Sequence, residues 1–417
     1  MDNIAILAAL LAVVSLIRVR ISSWPITAPM LFVGAGMLLS PDALGVLDIE
    51  LEDESVELAA ELTLALLLFS DAARLDVPTL RQSFSIPARL LGIGLPLTIA
   101  LGTVVTALLL TDLSWVEAAL VAAILAPTDA ALGQAVVTNP AVPVRIRQSL
   151  NVESGLNDGL VVPVVAVFFE LTSGDQLGSA SSIVLNAIAA VVGGALIGAA
   201  VGALVGRLIQ RIRDKGWTDL PSVRLVAVGG SLGTFAFAAA ISTNGFIAAF
   251  VCGLALRQAM GPEAAEHTEL AEDLGQVGAS MTFILFGALL VWPALGALTF
   301  AVAVCAFATL TIGRMAPVGV SLIGAGLRLP TVGFIGWFGP RGLASMLFGL
   351  VIVTKMTESS EQLFSVVAIV ILASVVLHGA SAAKGAVVYS EWFDEHGHEE
   401  MAEAHSVVES RVRGQRK

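Results

Sequence analysis

Long apolar runs, separated by short polar stretches, follow one another along almost the entire chain. Runs of about 20 apolar residues are typical of membrane-spanning α-helices, and alternation with period two, the pattern of an outer-membrane barrel, is weak. The pattern predicts an all-α polytopic membrane protein. The eighth and ninth runs are the least distinct, because only Ser242-Thr243-Asn244-Gly245 separates them. Thirteen runs are predicted, near residues 3–18, 25–40, 57–72, 88–110, 115–138, 149–171, 183–208, 221–241, 243–258, 274–292, 296–321, 331–354 and 362–385.

Composition and charge agree with this fold. Hydrophobic residues make up 56% of the 417 residues and charged residues 13%, with a mean hydropathy of +0.88. The net charge of −12 lies mostly in loops and in the tail, so it does not indicate a nucleic-acid partner. The first run lacks a basic region and a small-residue cleavage site before Arg18, and we expect it to be a span rather than a removed signal peptide.

Basic residues are distributed unevenly between the two sides of the membrane. Nineteen of the 22 Lys and Arg residues fall on the side reached after the first run, Lys355 falls on the other side, and Arg314 and Arg341 lie inside runs. Because basic loops stay in the cytoplasm, this bias predicts an outside amino terminus and a cytoplasmic carboxyl terminus. Residues 1–386 then form the membrane domain, and residues 387–417 form a short acidic cytoplasmic tail.

Two runs contain residues that break a helix. Run five holds Pro127-Thr128-Asp129 and run twelve holds Gly339-Pro340-Arg341-Gly342. A proline in mid-helix removes a backbone hydrogen bond and clashes with the preceding turn. The two runs are seven apart, so they cross the membrane in opposite directions, as paired interrupted helices do in inverted-repeat transporters. We expect two inverted repeats of six runs each, joined by one linking run, with two crossing discontinuous helices. Asp129 is expected at the positive end of its own half-helix.

Run six begins with a cluster of polar residues. Residues four apart share a face of a helix, so Ser154 is placed beside Asp158, and Glu153 beside Asn157. A carboxylate at membrane depth is a functional candidate by default. Asp158, the Ser154 hydroxyl and loose carbonyls near Thr128 are hard oxygen donors, which suit a monovalent cation such as Na+, K+ or Li+ rather than a transition metal.

Other polar groups are expected to support this site. Glu153 needs a countercharge inside the membrane, for which Arg314 in run eleven is the first choice and Arg341 the second. Asn157 carries no charge and is expected to bond the unwound backbone of run five. The Asp158 carboxylate is also a proton carrier, so cation and proton would compete for one site and exchange without a separate gate.

These motifs resemble those of the sodium/proton exchanger family, specifically the NhaP-type monovalent cation:proton antiporters. The resemblance covers nearly the whole chain. It implies a homodimer in which a core domain, including residues 88–171 and 296–385, moves against a dimerisation part formed by the remaining helices. The motifs that carry it are Pro127-Thr128-Asp129, Glu153-Ser154-Gly155-Leu156-Asn157-Asp158, Arg314 and Arg341-Gly342.

The resemblance also implies roles for individual residues. Asp158 would bind cation or proton, helped by Ser154 and the main chain of Thr128. Electrogenic relatives carry Asp-Asp where this chain has Asn157-Asp158, which implies electroneutral exchange of one cation for one proton. By resemblance, Asn157 and Asp129 would stabilise the crossing of the two interrupted helices, and Glu153 would pair with Arg314. Arg341 is expected to be a further supporting residue.

One position departs from the family pattern. Many members carry a Glu in the third segment, in a Phe-Glu-Gly setting, whereas this chain reads Phe69-Ser70-Asp71-Ala72. Ser70 falls where that Glu would be, and Asp71 either substitutes for it one position later or only ends the segment. Ser70 and Asp71 are therefore candidates for cation access or selectivity.

The predicted function is secondary active transport in a prokaryotic plasma membrane, exchanging Na+, or alternatively K+, for H+ by alternating access at Asp158. The expected partners are membrane lipid and a second copy of the chain, with no enzymatic activity, cofactor or nucleic acid. An ion channel is less well supported because no filter motif is evident. A non-transporting sensor would need more than this tail for signalling, and Arg341 leaves an organic-anion transporter open.

Overall fold

The computed structural model describes residues 2–21, 26–47, 54–75, 85–129, 132–172, 180–355 and 360–396. Within these ranges the regular structure is entirely helical, and helices occupy the positions of all thirteen predicted runs. Eight of the helices in the described ranges are long and apolar enough to cross a membrane by length and composition. The all-α polytopic fold is therefore confirmed, while the number of spans stays a prediction.

We number the helices by the runs that they occupy and divide the two interrupted ones into halves. Their bounds are α1 Asp2–Ile21, α2 Ala28–Leu39, α3 Glu54–Arg74, α4 Ser85–Leu109, α5a Trp115–Ile124, α5b Gln134–Val137, α6 Val144–Thr172, α7 Ala180–Asp214, α8 Leu220–Ala240, α9 Gly245–Met260, α10 Glu269–Gly296, α11 Phe300–Ser321, α12a Leu329–Trp337, α12b Leu343–Lys355 and α13 Ser360–His396.

The division between the eighth and ninth runs is sharp in the structure. Helix α8 ends at Ala240, and Ser242 adopts a positive φ of 57°. Asn244 then caps α9, because its side-chain oxygen accepts the N–H of Ile247 at 3.0 Å. A short polar side chain that bonds the free N–H groups of a first turn is a strong helix start signal. The four residues between the runs are therefore sufficient for a chain reversal.

Helix α7 packs closely on α9 through the glycines that recur at every fourth position. A Cβ added at Gly194, Gly198 or Gly202 would collide with backbone oxygens of α9 or of the residue that caps it. At Gly206 the added atom would lie 2.6 Å from the Cβ of Ala259. Small residues on one face allow helix backbones to approach in a membrane protein, so this stripe is a packing surface.

The main hydrophobic core surrounds the interrupted helices. Leu120 of α5a, Leu347 of α12b and Val366 of α13 are fully buried in it. The last helix continues to His396, so residues 387–396 of the predicted tail extend α13. Residues 397–417, with most of the tail's histidines and acidic groups, lie outside the described residues.

Candidate cation-binding site

The backbone of the fifth helix opens at the predicted proline. Helix α5a ends at Ile124, and residues 126–129 are non-helical and largely buried. The carbonyl oxygens of Ala126 and Pro127, freed by this break, accept Nη1 of Arg341 at 2.7 and 3.3 Å. Buried carbonyls need such partners, so Arg341, which is 0% exposed, completes the hydrogen bonding of a helix that it does not belong to.

The twelfth helix opens at the Gly-Pro-Arg-Gly sequence, and its break meets that of the fifth. The N–H of Asp129 donates to the carbonyl of Pro340 at 2.8 Å, and Oδ2 of Asp129 accepts the N–H of Leu343 at 2.9 Å. Asp129 therefore sits at the positive end of α12b. This corrects the expectation that it would start its own half-helix, since α5b begins only at Gln134.

Polar side chains of α6 reach the opened backbone of the fifth helix. Nδ2 of Asn157 donates to Oγ1 of Thr128 at 2.7 Å, and the hydroxyls of Thr128 and Ser154 lie 3.0 Å apart. Asn157 is 1% exposed. The predicted contact of Asn157 with the break is thus made through the Thr128 side chain rather than through the unwound backbone.

Asp158 has a carboxylate oxygen that is available to a ligand. In the part of the chain that the structure describes, Oδ1 of Asp158 is buried and has no hydrogen-bond partner. Such an orphaned buried oxygen costs about 1–3 kcal/mol unless a proton, water or ion satisfies it. Thr128, Ser154 and Asp158 line the same cavity, of about 1190 Å³. This arrangement of hard oxygen atoms can bind either a monovalent cation or a proton.

The remaining carboxylate of α6 is paired. Oε1 of Glu153 lies 2.6 Å from Nη1 of Arg314, and each side chain is 3% exposed. The structure thus forms the ion pair that was the first choice from the sequence. Arg341, the second choice, instead bonds the carbonyls of the fifth helix. Glu153 is buried against Arg314 and does not line the cavity, so its charge is balanced away from Asp158.

A family model described as "Sodium/hydrogen exchanger, transmembrane" matches residues 6–384. The chain belongs to the sodium/hydrogen exchanger family. It is therefore a multi-pass membrane protein, in agreement with its apolar helices.

Two curated members of the exchanger family illustrate its relatives. The K(+)/H(+) antiporter NhaP of Alkalimonas amylolytica is 26% identical over 390 residues, which are 91% of this chain and 66% of the relative. The Na(+)/H(+) antiporter NhaS2 of Synechocystis sp. is 29% identical over 266 residues, 62% of this chain and 47% of the relative. The chain spans about two thirds of the length of the first relative and about half that of the second.

A solved structure with the same fold is that of the sodium proton antiporter MjNhaP1 from Methanocaldococcus jannaschii. It superimposes with a TM-score of 0.74 at 20% identity, over 92% of this chain and 97% of that chain. At this identity the likeness concerns the fold. It agrees with the all-helical architecture described above.

The third helix of this exchanger presents its two candidate residues in different directions. Asp71 lines the cavity together with Asp158. Ser70 is 0% exposed, and its hydroxyl donates to the carbonyl of Leu67 in its own helix at 3.0 Å. Of the two, only Asp71 thus faces the cavity.

Four further residues support the site, and two of them, Ser374 and His378, were missed from the sequence. Oγ of Ser374 accepts the N–H of Arg341 at 2.6 Å and lies 3.0 Å from Nδ1 of the buried His378. The hydrogen of Gly339 faces the Arg314 guanidinium, and that of Gly342 faces the Asp129 carboxylate. The Gly-Pro-Arg-Gly sequence signalled the break but not these contacts. Nothing in the sequence singled out Ser374 or His378.

Proposed function

We propose that this exchanger transports a monovalent cation, with Na+ as first choice, against H+ across the plasma membrane. The observation that carries the proposal is that Oδ1 of Asp158 is buried without a hydrogen-bond partner among the described residues. Asp158 also lines one cavity with Ser154 and Thr128, whose hydroxyls lie 3.0 Å apart. A carboxylate in this position binds a cation when ionised and a proton when neutral. One site with two mutually exclusive ligands gives exchange without a further gate.

The expected stoichiometry is one cation for one proton. Asp158 is neutralised to the same extent by a bound Na+ as by a bound proton, so both loaded states carry the same charge through the membrane. The neighbouring groups on α6 add no second exchangeable charge, because Asn157 is an amide and Glu153 is paired with Arg314. The exchange is therefore electroneutral.

Alternating access would bring Asp158 to one side of the membrane at a time. The cavity reaches Asp158 from the side where α3 ends and where α6 and α10 begin, with Arg74, Gln148 and Glu272 in its lining. The basic loops lie on the same side, which supports a cytoplasmic opening and hence an outside amino terminus. The resemblance to NhaP-type antiporters implies a homodimer, and we propose this assembly here.

K+ is the second candidate cation. The names of the relatives support both ions, since the NhaP protein is named a K(+)/H(+) antiporter and the NhaS2 protein a Na(+)/H(+) antiporter. The oxygen donors at Asp158 suit either ion. Only a direct comparison of the two cations distinguishes these candidates.

The test is proton flux in proteoliposomes that carry a pH gradient and an internal pH dye. Addition of Na+, K+ or Li+, but not choline, should dissipate the gradient with the wild type and not with Asp158→Asn. Asp112→Asn, which changes an exposed carboxylate outside the cavity, is the matched control and should behave as wild type. Flux that Asp158→Asn retains would refute the assignment of Asp158, and flux that follows an imposed membrane potential would refute electroneutrality.

A further inference from the structure

The cavity that leads to Asp158 is predominantly acidic. Among the described residues that line it, four carry carboxylates and one carries a positive charge. The carboxylates belong to Asp71, Asp129, Asp158 and Glu272, and the positive charge is the guanidinium of Arg74. Acidic clefts concentrate cations, so Arg74 is the described lining residue whose charge opposes entry of the substrate.

Arg74 forms an ion pair at the mouth of this cavity. It is the last residue of α3, and Glu272 lies in the first turn of α10. Nη1 and Nη2 of Arg74 contact the two carboxylate oxygens of Glu272 in a bidentate arrangement. Nε2 of Gln276 donates to Oε1 of Glu272 at 3.2 Å. The side chains of Arg74 and Glu272 are 37% and 20% exposed, so solvent reaches the pair.

Arg74 neutralises the charge of Glu272. Asp71 lies one helical turn deeper on α3, outside this pair. A cation that enters therefore meets a neutral mouth first and the carboxylates of Asp71 and Asp158 afterwards. An exposed ion pair contributes at most about 1 kcal/mol to stability. Its main effect here is on the potential that an entering cation experiences.

We propose that Arg74 is a determinant of cation affinity, acting as a tethered positive charge that lowers the concentration of substrate cation in the cavity. The proposal rests on the function proposed above. Removing Arg74 leaves Glu272 as an additional unneutralised carboxylate, whereas removing Glu272 leaves Arg74 as an unneutralised positive charge. The two changes therefore shift the apparent KM for the cation in opposite directions. At a separation of about 10 Å in a wet site, one unit charge changes local ion concentration about two- to tenfold.

The test is cation-dependent antiport in proteoliposomes at constant low ionic strength. Arg74→Gln should lower the apparent KM severalfold and Glu272→Gln should raise it, with kcat unchanged in both. The double variant Arg74→Gln/Glu272→Gln restores the net charge of the pair and should return close to the wild-type KM. Arg74→Lys should also resemble wild type. Salt at about 1 M should remove the differences, because screening is then nearly complete.

The chain offers a matched control for loss of an ion pair. Arg224 of α8 pairs with Glu269, the first residue of α10, and neither residue lines the cavity. Arg224→Gln should leave the KM unchanged. If Arg74→Gln and Glu272→Gln shift the KM in the same direction, lower kcat together, or have no effect, the proposal is wrong. If wild type shows no cation-dependent proton flux, or Asp158→Asn keeps it, the proposed function itself fails, which is a different result.

Discussion

The carboxylate of Asp129 on one interrupted helix caps the other, since its Oδ2 accepts the N–H of Leu343, the first residue of α12b, at 2.9 Å. The N–H of the same Asp129 donates to the carbonyl of Pro340 at 2.8 Å. Each helix therefore satisfies backbone groups that the other leaves open at membrane depth. Through this double link the two breaks hold one another in register beside the cavity.

Removal of this cap should destabilise the protein. Asp129→Ala is expected to lower the free energy of unfolding by about 1–2 kcal/mol, because the N–H of Leu343 loses its acceptor and the helix dipole loses its countercharge. Asp129→Asn should cost less, because the amide oxygen can still accept that hydrogen bond. Thermal unfolding in detergent measures both. As a control, Asp219→Ala removes the cap of α8 and should leave antiport intact. Equal stability of wild type and Asp129→Ala would contradict the capping role.

Two glycines of the twelfth helix should not tolerate a methyl group. A Cβ at Gly339 would lie 2.5 Å from Nε of Arg314, and one at Gly342 would lie 2.7 Å from Cβ of Asp129 and overlap its carboxylate. Overpacking of this kind costs about 1–3 kcal/mol, so Gly339→Ala and Gly342→Ala should lower both thermal stability and antiport.

The matched control for these glycines lies in the same interrupted helix. A Cβ at Gly333 of α12a meets nothing within 4 Å. Gly333→Ala should be neutral or stabilise by up to about 1 kcal/mol, through its better helix propensity. A loss of stability with Gly333→Ala as large as with Gly342→Ala would show that the clash with Asp129 is not the cause.

The Glu153–Arg314 pair should behave as a unit. Either Glu153→Gln or Arg314→Gln leaves one buried charge without its partner, and is expected to cost about 3–5 kcal/mol. The double variant leaves no unpaired charge, so its cost should be well below the sum of the two single costs. A double-mutant cycle by thermal or denaturant unfolding measures this coupling. Additive costs would indicate that the two side chains do not depend on one another.

Asp71 and Ser70 should differ in their effect on cation binding. Asp71 faces the cavity with Asp158, whereas Ser70 is buried and bonds its own helix. Asp71→Asn removes a negative charge from the access path and should raise the apparent KM for the cation severalfold. Ser70→Ala should leave the KM unchanged. The reverse order, with Ser70 sensitive and Asp71 insensitive, would mean that the cation follows another route.

The sequence by itself determined the helical architecture, the two interruptions and most of the polar residues gathered at them. Apolar runs of membrane-spanning length can satisfy their backbone only as helices. A proline at position 127 and the Gly-Pro-Arg-Gly sequence at 339–342 disfavour a continuous helix, because proline removes a backbone hydrogen bond and clashes with the preceding turn. Charged residues inside such runs are costly enough to be recognised without coordinates. These signals are local in the sequence, so they can be recognised without knowing how the helices pack.

Apart from the Glu153–Arg314 pair, the partners of the polar groups were decided mainly by the tertiary structure. Glu153 could be assigned to Arg314 because a buried charge demands a countercharge. Arg341, by contrast, bonds carbonyls of the fifth helix, and Asp129 caps α12b instead of its own half-helix. Ser374 is recognised as part of the site only from the hydrogen bond that its hydroxyl oxygen accepts from the N–H of Arg341. Hydrogen bonds act over about 3 Å, and the distance between residues far apart in sequence is fixed by helix packing.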